Sequence, residues 1–121
     1  MKSVIALFTL LALFSAVAHV SAPVEKAVCG SGVCVVEFNA TFNAANSVKW
    51  IEDLNDCTTS LVDIVSSPDL QLAHKIVVVP TIIIFNDGEE VKRFQANIMM
   101  TIEASESDVQ ESVDEILMSS F

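Results

Sequence analysis

The sequence predicts an α/β sandwich, a mixed central β-sheet flanked by helices. Three observations point there. Short β-rich apolar segments (CVVEFN at 34–39, SLVDIV at 60–65, TIIIF at 81–85) alternate with stretches of helical character. Asn86-Asp87-Gly88-Glu89 is a hairpin turn signal leading into a further strand, Glu90 to Ala96. The last segment is amphipathic at helical spacing. Short βαβ units give parallel pairing and the hairpin adds antiparallel pairing, so the sheet is mixed.

The elements follow in order. Met1-Lys2-Ser3 is a short basic start, Val4 to Ala18 is almost all apolar, and small residues precede a cut after Ala22. These are the marks of a secretory signal peptide over 1–22. The apolar run is about 15 residues, short of the roughly 20 that span a bilayer. The mature domain is then expected at 23–121, with no membrane association after cleavage and a secreted, endoplasmic reticulum lumenal or periplasmic location. Met118-Ser119-Ser120-Phe121 is not a retrieval signal of the Lys-Asp-Glu-Leu type. Residues 23–33 are expected to be a loop or a short edge strand, and Cys34 to Asn39 a buried strand. Asn43 to about Asp56 suits a helix, with Val48, Ile51 and Leu54 recurring at three-residue spacing beside Trp50. Ser60 to Val65 is a second strand. Ser67 followed by Pro68 reads as the start of a short helix ending near Lys75. Ser105 or Ser107 can cap the last helix, whose stripe is Val109, Val113, Ile116 and Leu117.

The formal net charge is −10 over 121 residues. A chain this acidic repels phosphate backbones, so nucleic acid is not an expected partner. The acidity is read as solubility rather than as an acidic docking surface. Cys29, Cys34 and Cys57 all lie in the mature part, and export favours disulfides. Three is odd, which leaves one cysteine single or paired between chains. If the first two strands are parallel neighbours, their starts lie side by side and a Cys34–Cys57 bond is possible. Cys29–Cys34 is the alternative, with glycines permitting a tight loop. Neither arrangement offers the four ligands of a structural zinc site. His74 is the lone histidine after the signal segment, and no metal or cofactor is expected.

The segments VVEFNATF and VVVPTIIIFNDGEEVKRF, in this order, resemble the thioredoxin superfamily, including protein disulfide isomerase domains. The resemblance covers about residues 34–118. It implies a thioredoxin-like fold with the N-terminal strand and helix reduced. It also implies a cis peptide bond before Pro80, with Thr81 opening the next strand. The family's Cys-x-x-Cys falls on Asn43-Ala44-Ala45-Asn46, preceded by the aromatic Phe42.

An amide cannot replace the thiolate, because it has no accessible anionic state and is a poor nucleophile. Asn43 is instead expected to cap the helix, accepting from the N–H groups that would have held a thiolate. Asn46 is expected as a solvated first-turn residue. Glu37 lies in the strand where the family keeps a buried acid serving the buried cysteine. Here it reads as a structural acid held by Lys75 or by water. By the same resemblance, Val79 would offer its backbone beside Pro80 to an extended chain. Asn39-Ala40-Thr41 is a formal glycosylation sequon whose place at a strand end makes occupancy doubtful.

The function expected is that of a redox-inactive, secreted or lumenal thioredoxin-like protein that binds peptide or protein. Phe42, Ala44, Ala45, Val79, Pro80 and Thr81 would form its contact patch. Two alternatives remain: a thiol-disulfide oxidoreductase using Cys29, Cys34 and Cys57, and a subunit that meets a partner through Met99-Met100.

Overall fold

The computed structural model describes residues 28–120. The expected signal peptide lies outside them. Four strands, β1 (Val33–Asn39), β2 (Thr58–Asp63), β3 (Thr81–Asn86) and β4 (Glu89–Gln95), form one sheet in the order β2-β1-β3-β4. β1 pairs with β2 in parallel; β1 with β3 and β3 with β4 are antiparallel. The mixed sheet is thus the one expected, with β2 shifted two residues towards the N-terminus at each end.

All seven residues of β1 are buried, so side chains on both faces enter a core. Successive strand residues point to opposite faces. Cys34, Val36 and Phe38 join Ile83 and Phe85 on one face, covered by Cys29, Ile76 and Val79 and by Leu70 of α1 (Pro68–Ala73). Val33 and Val35 join Ile82 and Ile84 on the other. Val109, Val113 and Ile116 of α2 (Glu106–Ser119) cover that second face, together with Ile51 and Leu54. Ser105 closes a capping box at the start of α2, accepting from the Asp108 N–H at 3.1 Å. Its own N–H donates to the Asp108 carboxylate at 2.8 Å.

The helix expected over residues 43–56 does not form. In its place are two 3-10 turns, Thr41–Asn46 and Ile51–Asp53, separated by extended backbone at Ser47. The cause is local competition. The Val48 N–H, which would donate to Ala44 in an α-helix, donates to the Glu37 carboxylate at 3.3 Å instead. Asn43, Asn46 and Ser47 also commit their side chains to other partners. The apolar residues of the segment still reach the core: Ile51 and Leu54 are buried and Val48 and Trp50 pack against them.

At the other end of the sheet, Asp87 (φ 53°) and Gly88 (φ 87°) form the hairpin turn between β3 and β4, a conformation that favours these residue types. The Asp87 carboxylate accepts from the Gly32 N–H at 2.7 Å, and the Asp87 N–H donates to the Gly32 carbonyl at 2.9 Å. Arg93 of β4 ties the end of α1 to the sheet. Its guanidinium donates to the carbonyls of His74 (2.8 Å) and Lys75 (3.1 Å) and pairs with Glu90 at 2.8 Å. Burial of His74 between Phe38 and Phe85 holds the same corner from inside.

Candidate functional site

The end of β1, the loop before Pro80 and the loop at 97–101 meet around Asn43. Its backbone is not that of a helix cap, a place taken by Ala40. Asn43 sits inside the 3-10 turn (φ −114°, ψ 20°) and is buried. An asparagine amide carries two N–H donors. Those of Asn43 have the Asn39 side-chain oxygen at 3.1 Å and the Met100 carbonyl at 3.2 Å, with the Val79 carbonyl at the outer limit of 3.5 Å. Its side-chain oxygen accepts from Asn46 at 2.8 Å, and its backbone carbonyl accepts from Asn39 at 3.2 Å. The expectation of a cap is therefore corrected: Asn43 is a buried tie joining three segments. Asn46 is half-buried and bonded rather than simply solvated. Ala44 and Ala45 are exposed. The Asn39 amide of the sequon is buried and committed to Asn43, so a glycan has no room on it in the folded domain.

Glu37 is buried on the same face of β1 as Asn39. Its carboxylate oxygens lie 2.9 and 2.8 Å from the Ser47 hydroxyl, and one accepts from the Val48 N–H. Burial pushes its pKa above the ordinary value, and the bonds from Ser47 and Val48 pull it back in part. Its protein partners are Ser47 and Val48 and not the expected Lys75. Lys75 follows α1, which packs on the opposite face of the sheet.

The Val79–Pro80 peptide bond is cis. Val79, Pro80 and Thr81 are all buried, and of the three Val79 lines the neighbouring groove. Thr81 donates its hydroxyl to the Val78 carbonyl at 2.7 Å, and Ala96 donates its N–H to the Pro80 carbonyl at 3.1 Å. What is exposed around the loop is apolar: Phe42 (73%), Val77 (78%) and Ile98 (98%), with Val78 between them. These four line one groove with Gln71, Asn97 and Met100. Of the four, only Phe42 is among the residues singled out from the sequence. A signal for the others exists: three valines precede Pro80, and Ile98-Met99 falls between β4 and α2, where no strand or helix buries them.

The cysteines lie elsewhere. Cys29 and Cys34 are bonded to each other, and both are buried. Cys57 is free and half-buried. The possible Cys34–Cys57 bond fails because the two side chains occupy opposite faces of the sheet. From Cys34 to Asn39 the strand runs roughly 17 Å, so the disulfide sits at the far end of β1 from Asn43. Burial raises the pKa of the Cys57 thiol, and the charges of Asp56 and Asp114 raise it further. Among the described residues no group of three or more metal-ligating side chains comes together. No helix among them is long and apolar enough to cross a membrane.

The sheet order, the buried strand leading into the Asn43 turn and the Pro80 loop opposite it are those of a thioredoxin-like fold. Solved structures agree. A thioredoxin variant from Halobacterium salinarum superposes with a TM-score of 0.57 at 19% identity, covering 70% of this chain and 74% of that one. A Schistosoma mansoni thioredoxin gives 0.58 at 20% identity, covering 74% and 84%. Fasciola hepatica thioredoxin gives 0.51 at 20%, covering 71% and 82%. No protein-family model and no curated protein matches the sequence. The chain has the thioredoxin-like fold.

Proposed function

We propose that this is an exported thioredoxin-like binding module that holds extended or unfolded polypeptide on the rim of Phe42, Val77, Val78 and Ile98, without dithiol-disulfide exchange at that site. The observation that carries the reading is the contrast at the Pro80 loop. Exposed apolar side chains from three separate segments line one groove there. Asn43, beside that groove in the turn after β1, is a buried, hydrogen-bonded amide and not a thiol. A surface of this kind gains from burying apolar area against a partner and has no nucleophile to offer. Met99, exposed beside Ile98, extends the rim with an adaptable side chain, and a partner met through Met99-Met100 would use the same surface.

The test is titration of the full chain with a reduced and alkylated, permanently unfolded protein, a probe that cannot exchange disulfides. Binding that weakens at least about tenfold in Ile98→Asp supports the reading, since losing one buried apolar anchor is worth that much. Absence of binding overturns it.

A second reading, thiol-disulfide exchange by the displaced cysteines, is favoured by one observation, the Cys29–Cys34 bond itself. Burial of both sulfurs and the raised pKa of Cys57 count against it. Insulin disulfide reduction that is lost in Cys29→Ser would establish it.

A further inference from the structure

We propose that the outer edge of β2 accepts an added β-strand from a partner polypeptide whose extended segment has an uncharged, β-forming centre and basic residues at its flanks. Among the described residues nothing pairs with that edge. Exposed edge strands invite pairing, and natural chains blunt them with charge, bulges or cover. The two edges of this sheet differ in that respect. β4 carries Glu89, Glu90, Lys92 and Arg93 in seven residues, and its pairing with β3 is irregular at Ile84/Phe85. β2 carries no charge from Thr58 to Val62, includes the β-formers Thr58, Thr59 and Val62, and has no such irregularity in its register with β1.

The face above the edge offers a place for a side chain. Leu61 is 62% exposed although it shares a face with buried Glu37. The helix that would have covered it is replaced by two short turns. Ala40, Thr41, Ala44 and Ser47 line a shallow, mainly apolar groove with Leu61 and Val62. Main-chain pairing gives affinity in strand addition, and such a groove gives preference for the side chain that enters it.

Charge selects the occupant. Glu52, Asp53 and Asp56 are exposed just before β2, and Asp63 ends it. A second copy of the chain pairing edge to edge would bring these carboxylates together in either strand direction, which is unfavourable. A segment with Lys or Arg at its flanks meets them with opposite charge. This inference does not rest on the Pro80 rim.

The experiment is amide hydrogen exchange by NMR on the full chain, with and without the synthetic peptide Lys-Arg-Val-Thr-Val-Thr-Lys. The expected result is slowed exchange at alternate amides of residues 58–63, and loss of that protection with a peptide N-methylated at its central amides. A peptide with Glu in place of its basic residues should bind about tenfold more weakly, as two or three exposed charge pairs are lost. Leu61→Lys should lose the peptide while unfolding at an unchanged urea concentration. Equal binding of the N-methylated peptide, or protection confined to another part of the sheet, would overturn the proposal. So would protection of the edge amides before any peptide is added, since that means the chain's own N-terminal segment or a second copy already occupies the edge.

Discussion

Replacing Asn43 with alanine is the most informative perturbation of the folded state. The substitution deletes two donated bonds, to Asn39 at 3.1 Å and to the Met100 carbonyl at 3.2 Å. It also deletes one accepted bond, from Asn46 at 2.8 Å. Each such bond is worth about 1 kcal/mol net, and acceptors left buried without a donor add to the loss. The half-buried bond to Asn46 counts least. The expected cost is about 2–3 kcal/mol. For a domain of this size that corresponds to a fall in Tm of about 10–20 °C. Urea unfolding followed by the fluorescence of Trp50, the one tryptophan of the chain, measures it directly. Asn43→Asp keeps the shape but turns a donor into an acceptor facing the Met100 carbonyl, and should cost as much or more. Losses below about 0.5 kcal/mol for both variants would refute the view that Asn43 holds the three segments together.

Other outcomes follow from the same geometry. Glu37 has a folded-state pKa raised by burial, so the folded protein binds its proton more tightly than the unfolded chain does. Stability should therefore fall as pH rises from the ordinary carboxylate value through the raised one, and Glu37→Gln should abolish that fall and be the more stable protein at pH 7 in urea titrations. The double variant Asn43→Cys, Asn46→Cys should not gain insulin-reducing activity. The segment is 3-10 and kinked at Asn43, and it lacks the run of aligned N–H groups that lowers a thiol pKa at a helix start. Cys57 should react with iodoacetamide more slowly at pH 7 than a free thiol in a peptide, because its pKa is raised. Arg93→Met removes the ties to Glu90 and to the carbonyls of His74 and Lys75 and should cost about 1–2 kcal/mol in the same urea assay.

Much of the fold was legible because its signals are short-range. β1 is a β-rich run whose apolar residues are interrupted only by Glu37 and Asn39, Asp87-Gly88 is the turn chemistry a two-residue hairpin needs, and Ser105 with Asp108 forms a capping pair three residues apart. No helix forms over 43–56 because the apolar spacing there records packing, not backbone. Ile51 and Leu54 do reach the core, but Glu37, eleven residues upstream of Val48, takes the Val48 N–H that would have continued the helix. That competition is long-range and leaves no periodic trace. The same holds for the site. Asn43 looks like a cap because asparagine commonly is one, and only the approach of the 97–101 loop converts it into a buried tie. The cysteine pairing needed the face of each side chain, which places Cys34 and Cys57 on opposite sides of the sheet. The exposed apolar rim was half legible. Phe42 could be named, whereas Val77, Val78 and Ile98 stand out only once the neighbouring elements are seen to leave them uncovered.

Mapping where an unfolded chain touches this protein is the most direct check on the proposed function. Amide NMR shifts of the full chain, followed while a reduced and alkylated unfolded protein is added, report it residue by residue. The expected result is that the largest changes cluster at residues 42, 77, 78 and 97–99. Changes that are absent there while binding occurs, or that gather around the Cys29–Cys34 bond, would contradict it.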